Sequence, residues 1–167
     1  MSKRSEAKSK KKLKERFGRL AESMVEYYHH LDLRPIWDMD DETFAYIMTN
    51  VKGVNMLDLN ETEITNESIK LLTRLEYVKE LRVKSCRYLD NGCIEYLNKL
   101  PELEFLHLKS TAVTIDGLLK LGNLPYLKQL MFSEDDVESI KEKMLQLKVN
   151  LPGCEFTVNS KPWYFDE

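Results

Sequence analysis

Few residues of this 167-residue chain have the means to do chemistry. His107 is the imidazole that the chain's recurring pattern brings near carboxylates, Asp58 and Glu80, as a general base would need. Those three sit on separate segments of an open, shallow face with no Ser or Cys nucleophile in the neighbourhood. Catalysis wants a water-excluded pocket, so no catalytic role is expected of His107. His29 and His30 are adjacent, and neighbours in an extended segment point to opposite sides. No carboxylate or Cys completes a tetrahedral set around them, so no metal is expected. Cys86, Cys93 and Cys154 are an odd number without a Cys-x-x-Cys pair. That argues against a disulfide scaffold or zinc module and for a reducing compartment. A glycine-rich phosphate loop, a His-Glu-x-x-His helix and a nucleophile elbow are all missing from the sequence. The chain reads as a non-enzyme without cofactors.

The elements that must position these residues follow from a repeat. The triplets Leu57-Asp58-Leu59, Leu81-Arg82-Val83, Leu106-His107-Leu108 and Leu130-Met131-Phe132 begin 24, 25 and 24 residues apart. Leu31-Asp32-Leu33 precedes them by a similar step, and Cys154 to Val158 alternates in the same place one period later. Between triplets, apolar residues recur at helical spacing: Ile69, Leu72 and Leu75; Ile94, Leu97 and Leu100; Leu118, Leu121 and Leu124. Thr65 is placed to cap the first of these helices. Pro101 and Pro125 follow the last leucines and stop the segments. Period and pattern together predict an α/β chain of stacked strand–helix units with five to six short parallel strands on a concave face and helices on a convex one. Leu13, Phe17, Leu20 and Met24 predict an amphipathic capping helix at the front. At the back, Ser133 to Asp136 is expected to open a helix whose buried stripe is Val137, Ile140 and Met144.

The units Val78 to Cys86 and Leu103 to Thr111 resemble the cysteine-containing, ribonuclease-inhibitor-like leucine-rich repeats. In that family a Cys or Asn-like position follows each strand, and a Thr/Asp-x-Gly start opens the helix. Cys86, Asp90, Gly92, Asp116 and Gly117 occupy those places. The stretch Leu75 to Leu97 is also similar to the repeats of the mitochondrial ATP synthase subunit s (coupling factor B) family. The repeat resemblance implies a leucine-rich-repeat solenoid over 31–158, with buried structural cysteines. Around it the expected organisation is a basic, disordered arm over 1–12, a capping helix over 13–30 and an aromatic tail over 159–167.

Side chains alternate along a strand, so with the leucines inside, the middle and flanking residues face the concave side. The middle column runs Asp32, Asp58, Arg82, His107, Met131. Arg82, Lys84, His107 and Lys109 are expected to make a small basic patch with Phe105 beside it, since Arg and aromatic residues anchor protein interfaces. Asp58, Arg82, Lys84, Phe105, His107, Lys109 and Met131 are therefore the expected protein-binding residues. The bland alternative is a solvated face with salt bridges such as Asp58 to Arg82.

Net charge is -3, but residues 1–19 hold nine basic and two acidic side chains, leaving 16 basic and 26 acidic groups beyond them. An acidic body disfavours a nucleic-acid reader. The basic arm suits an anionic membrane surface or an acidic protein. Glu6 and Glu15 interrupt it as a mitochondrial presequence. The expected function is that of a monomeric, cytoplasmic adaptor for a protein partner. The alternatives are an inhibitor that occludes an enzyme and an assembly factor for a membrane complex.

Overall fold

A computed structural model describes residues 3–165. The elements alternate: α1 (Lys3–Ser23), β1 (Tyr27–Asp32), α2 (Asp41–Ile47), β2 (Gly53–Asp58), α3 (Asn66–Leu72), β3 (Tyr77–Arg82), α4 (Ile94–Leu97), β4 (Phe105–His107), α5 (Ile115–Leu118), β5 (Gln129–Phe132), α6 (Lys141–Asn150), β6 (Glu155–Val158) and β7 (Lys161–Pro162). The seven strands form one sheet in sequence order; β1 to β6 are parallel and β7 turns back antiparallel to β6. The chain is thus α/β, with a mostly parallel sheet.

Register explains why the repeat spacing matters. Leu31, Leu57, Leu81, Leu106, Leu130 and Phe156 align as direct cross-strand partners. They join Phe44, Ile69, Ile94, Leu118 and Met144 from the helices in a single core cluster. Fully burying one such side chain is worth roughly 1.5–3 kcal/mol, so each unit is stable only against its neighbours. The turns are tied unit to unit by side chains. Asp41 accepts from Thr65 N at 2.9 Å and from the Thr65 hydroxyl at 2.6 Å. Asn66 Nδ2 donates to Asp90 at 2.6 Å, and Asn91 Oδ1 accepts from Thr114 N at 2.9 Å. Glycine 117 is required by this ladder, because a Cβ there would lie 2.1 Å from Asn91 Oδ1. After three successive strands Glu61, Ser85 and Ser110 adopt positive φ (63°, 61° and 58°), a left-handed corner repeated at the period of the sequence. Gly53 sits between β1 and β3, in register with Tyr27 and Tyr77, whose rings stack 6.3 Å apart across the space its missing side chain leaves.

Several boundaries differ from expectation. In place of a disordered arm over 1–12 and a helix over 13–30, the described residues hold one helix from Lys3 to Ser23 and a strand already running at Tyr27, and residues 1–2 of that arm lie outside the described residues. Strong helix formers run without Pro or Gly from Lys3 to Phe17, whereas Tyr27-Tyr28 is aromatic and finds Gly53-Val54 to pair with. The expected helix at Ser133 begins only at Lys141. The acidic run instead closes turns: Glu134 Oε1 accepts Asp135 N at 3.0 Å, and Asp136 accepts Ser139 N at 3.2 Å. Ile140 and Met144 are buried as the pattern required. The aromatic tail folds back. Trp163 N donates to Phe156 O at 2.8 Å, and the Phe165 ring meets Phe156 edge-on at 6.0 Å.

Candidate protein-docking face

The residues alternating with the core leucines line the other face of the sheet. Along it Asp32, Asp58, Arg82, His107, Met131 and Thr157 are successive cross-strand partners, roughly 4.8 Å from one to the next. Arg82, Phe105, His107 and Met131 are half-buried. The parallel register brings the Arg82 guanidinium 5.2 Å from the centre of the Phe105 ring, a cation–π arrangement. Phe105 in turn meets His107 edge-on at 6.3 Å.

Two expectations change here. Asp58 is buried, at 4 % exposure, and does not present itself on the surface. Its partner is Arg34 at 3.5 Å, while its oxygen Oδ1 accepts Asn60 N at 3.0 Å. Arg34 also holds Asp32, with Nη2 at 2.7 Å from Oδ2. The Asp58 to Arg82 bridge does not form, because Arg82 is engaged by Glu80 on its own strand at 3.1 Å. The basic patch is also partly neutralised, through Lys84, while Lys109 meets a neutral hydroxyl. Lys84 lies 3.7 Å from Glu61, and Lys109 Nζ donates to Ser160 Oγ at 2.5 Å. The face is therefore an aromatic strip whose Arg82 and Lys84 are ion-paired and whose Lys109 keeps its charge. Sequence reasoning passed over Arg34 as a counter-ion and Ser160 as an anchor. The Asp-x-Arg spacing of Asp32 and Arg34 on one face was the available signal for the first; the second needed the backward turn of β7.

The electrostatics follow from these contacts. Burial, reinforced by the Lys84, Arg82 and Lys109 cations, pushes the His107 imidazole below its usual value, so it is neutral at pH 7. His107 Nε2 and Arg82 Nε are buried without a hydrogen-bond partner among the described residues. The Arg34 guanidinium holds the Asp32 carboxyl below the usual range. Burial drives the Cys93 and Cys154 thiols up to about 12 and raises Cys86 as well. All three cysteines are free, buried packing residues. His29 Nδ1 is 3.2 Å from Asn55 Nδ2. Among the described residues no group of three or more His, Cys, Asp or Glu side chains converges as metal ligands, and no helix is long and apolar enough to cross a membrane.

At the carboxyl ends of β1 to β3, Arg34, Pro35, Asn60, Glu61 and Lys84 line a polar cleft of about 460 Å³. Cavities of about 400 and 370 Å³ flank the tail and share Pro162, Trp163, Tyr164 and Phe165.

Fold and face together define an α/β chain with a mostly parallel sheet and one strand face that carries a half-buried aromatic strip. Comparison with known proteins gives this class a direction. The chain is homologous to ATP synthase subunit s, mitochondrial, of Bos taurus, with 28% identity over 114 residues, 65% of this chain and 57% of the relative. The Mus musculus protein of the same name is 27% identical over 131 residues, covering 75% of this chain and 66% of the relative. A segment of HMG2-induced ER-remodeling protein 1 of Saccharomyces cerevisiae is 31% identical over 117 residues, 64% of this chain but 9% of that protein. The chain spans less than two thirds of the length of these relatives. No protein-family model matches it, so the leucine-rich-repeat resemblance rests on its own residues. The likeness to subunit s extends far beyond the single unit Leu75 to Leu97. The expected cytoplasmic location is overturned by these relatives, which carry mitochondrial names.

Proposed function

We propose that this chain is a non-catalytic accessory or assembly protein of a mitochondrial membrane complex, and that it docks a protein partner on the face built from Arg82, Phe105, His107 and Met131. The similarity to subunit s over 114 residues is the observation that carries this reading. The repeated unit supports treating residues 31–158 as a leucine-rich-repeat solenoid whose free strand face does the binding. The Arg82–Phe105 pair at its centre favours a partner recognised by aromatic and cation–π contact, with neighbouring ions setting orientation. Asp58 belongs to its foundation, and Lys84 and Lys109 to its rim.

Blue-native electrophoresis of mild-detergent extracts of mitochondria expressing the tagged chain tests this. The intact chain is expected to migrate with a membrane complex, and the Arg82→Glu/Phe105→Ala double variant to migrate alone. A chain that fractionates outside mitochondria, or a double variant that still co-migrates, overturns the reading.

A further inference from the structure

The helix α1 contributes Phe17 to the core, Met24 joins it just past the helix end, and the remaining sides of the helix face solvent. Its cations are concentrated toward its amino-terminal end, where the helix dipole disfavours positive charge. They are therefore poorly placed to stabilise the helix itself. Lys8, Lys12 and Arg19 are exposed, and spacings of four and seven residues put them on one stripe. Arg16 borders that stripe and reaches across to the next loop. Its Nη2 donates to Trp37 O at 3.0 Å, and its Nη1 lies 3.4 Å from Asp38 Oδ2. The loop held there carries Trp37, a large aromatic side chain left 77 % exposed. Exposed indoles are costly in water but settle at the headgroup level of a bilayer.

We propose that Lys8, Lys12, Arg19 and Trp37 form a peripheral docking surface for an anionic lipid bilayer, with Arg16 as the residue that positions Trp37. Charge complementarity selects the occupant's sign, and a net -10 over residues 20–167 orients the chain so that this edge leads. The exposed indole selects lipid over nucleic acid, because single-strand binding relies on successive stacking aromatics along a basic groove. Phe17 of α1 is buried in the core and Leu13 packs against it, leaving Leu20 as the exposed apolar side chain, so the helix adsorbs and does not insert. This goes beyond the docking of a protein partner and stands on different residues.

Vesicle flotation of the full chain tests it, with phosphatidylcholine alone against phosphatidylcholine mixed with phosphatidylserine. Binding is expected only to the mixed vesicles and is lost at high salt. Each cation removed is expected to weaken binding roughly fivefold, so Lys8→Gln/Lys12→Gln/Arg19→Gln loses about 100-fold. Trp37→Ala weakens it with the charges intact. All the substituted side chains are exposed, so circular dichroism should remain native. Equal binding to neutral vesicles, full binding by the triple variant, or preference for a single-stranded oligonucleotide over the mixed vesicles overturns the proposal.

Discussion

Replacing Gly53 by Ala probes the interlock between the first three strands. A Cβ at this position would lie 2.5 Å from Tyr77 Cε1, 2.7 Å from Tyr77 Cζ and 3.1 Å from Tyr27 Cδ1. Real Cβ atoms do not approach carbon so closely, so the rings must separate by about an ångström or the strands must shift. Small-to-large changes in packed sites cost roughly 1–3 kcal/mol. Alanine also restricts the unfolded chain, which returns about 0.5–1 kcal/mol. The net expectation is a destabilisation of about 1–2 kcal/mol. Urea unfolding followed by circular dichroism reads this as a lower midpoint at unchanged slope. Two controls isolate the cause. Gly122→Ala meets nothing within 4 Å and should leave the midpoint unchanged or slightly raised. In a Tyr77→Ala background the cost of Gly53→Ala should vanish, a positive coupling between the two sites. An undiminished cost in that background would refute the steric argument and point to the strand backbone instead.

Arg34→Met leaves the buried Asp58 carboxylate without its counter-ion and should cost about 1–3 kcal/mol in unfolding free energy at pH 7. Asp32, whose carboxyl is held low by Arg34, gives stability that is present above pH ~3.9 and lost as pH falls through its depressed folded value. Stability measured down the acid limb should fall less steeply in Arg34→Met than in the natural chain. His107 titrates the opposite way from a salt-bridged imidazole. Its folded value is lowered, so the unfolded state binds the proton more readily, and stability falls as pH drops below ~6.5 until the folded value is reached. NMR titration should place its midpoint below ~6.5, and Lys84→Ala should move it upward. The thiols of Cys86, Cys93 and Cys154 should resist iodoacetamide at pH 8 in the native chain and all react in urea. Rapid native labelling of any one would contradict its burial.

The strand triplets and the leucines between them were legible in the sequence because a repeat of fixed period converts spacing directly into register. Leu57, Leu81, Leu106 and Leu130 align for that reason alone, and so does the row Asp58, Arg82, His107, Met131 beside them. The position of Gly117 at a helix start was visible too, although its cause, the Asn91 side chain overlying it, was not. Periodicity states which face a residue takes but not which partner it finds there. Asp58 and Glu80 both lay within reach of Arg82. The choice of Glu80 for Arg82, and of Arg34 for Asp58, depends on side-chain length and on how deeply each carboxylate sits. The same applies to Lys109, whose partner Ser160 arrives only when β7 turns back along β6. Helix ends escaped for a related reason: α4 stops at Leu97 and α5 at Leu118, and Leu100 and Leu124 are buried from the turns beyond them, so burial there does not require helix. Sequence alone therefore determined the strand triplets, the leucine core between them and the row of residues that alternates with it. Tertiary structure decided which cations of the face are ion-paired and that Asp58 is buried, because ion pairing depends on distances between units that no single repeat contains.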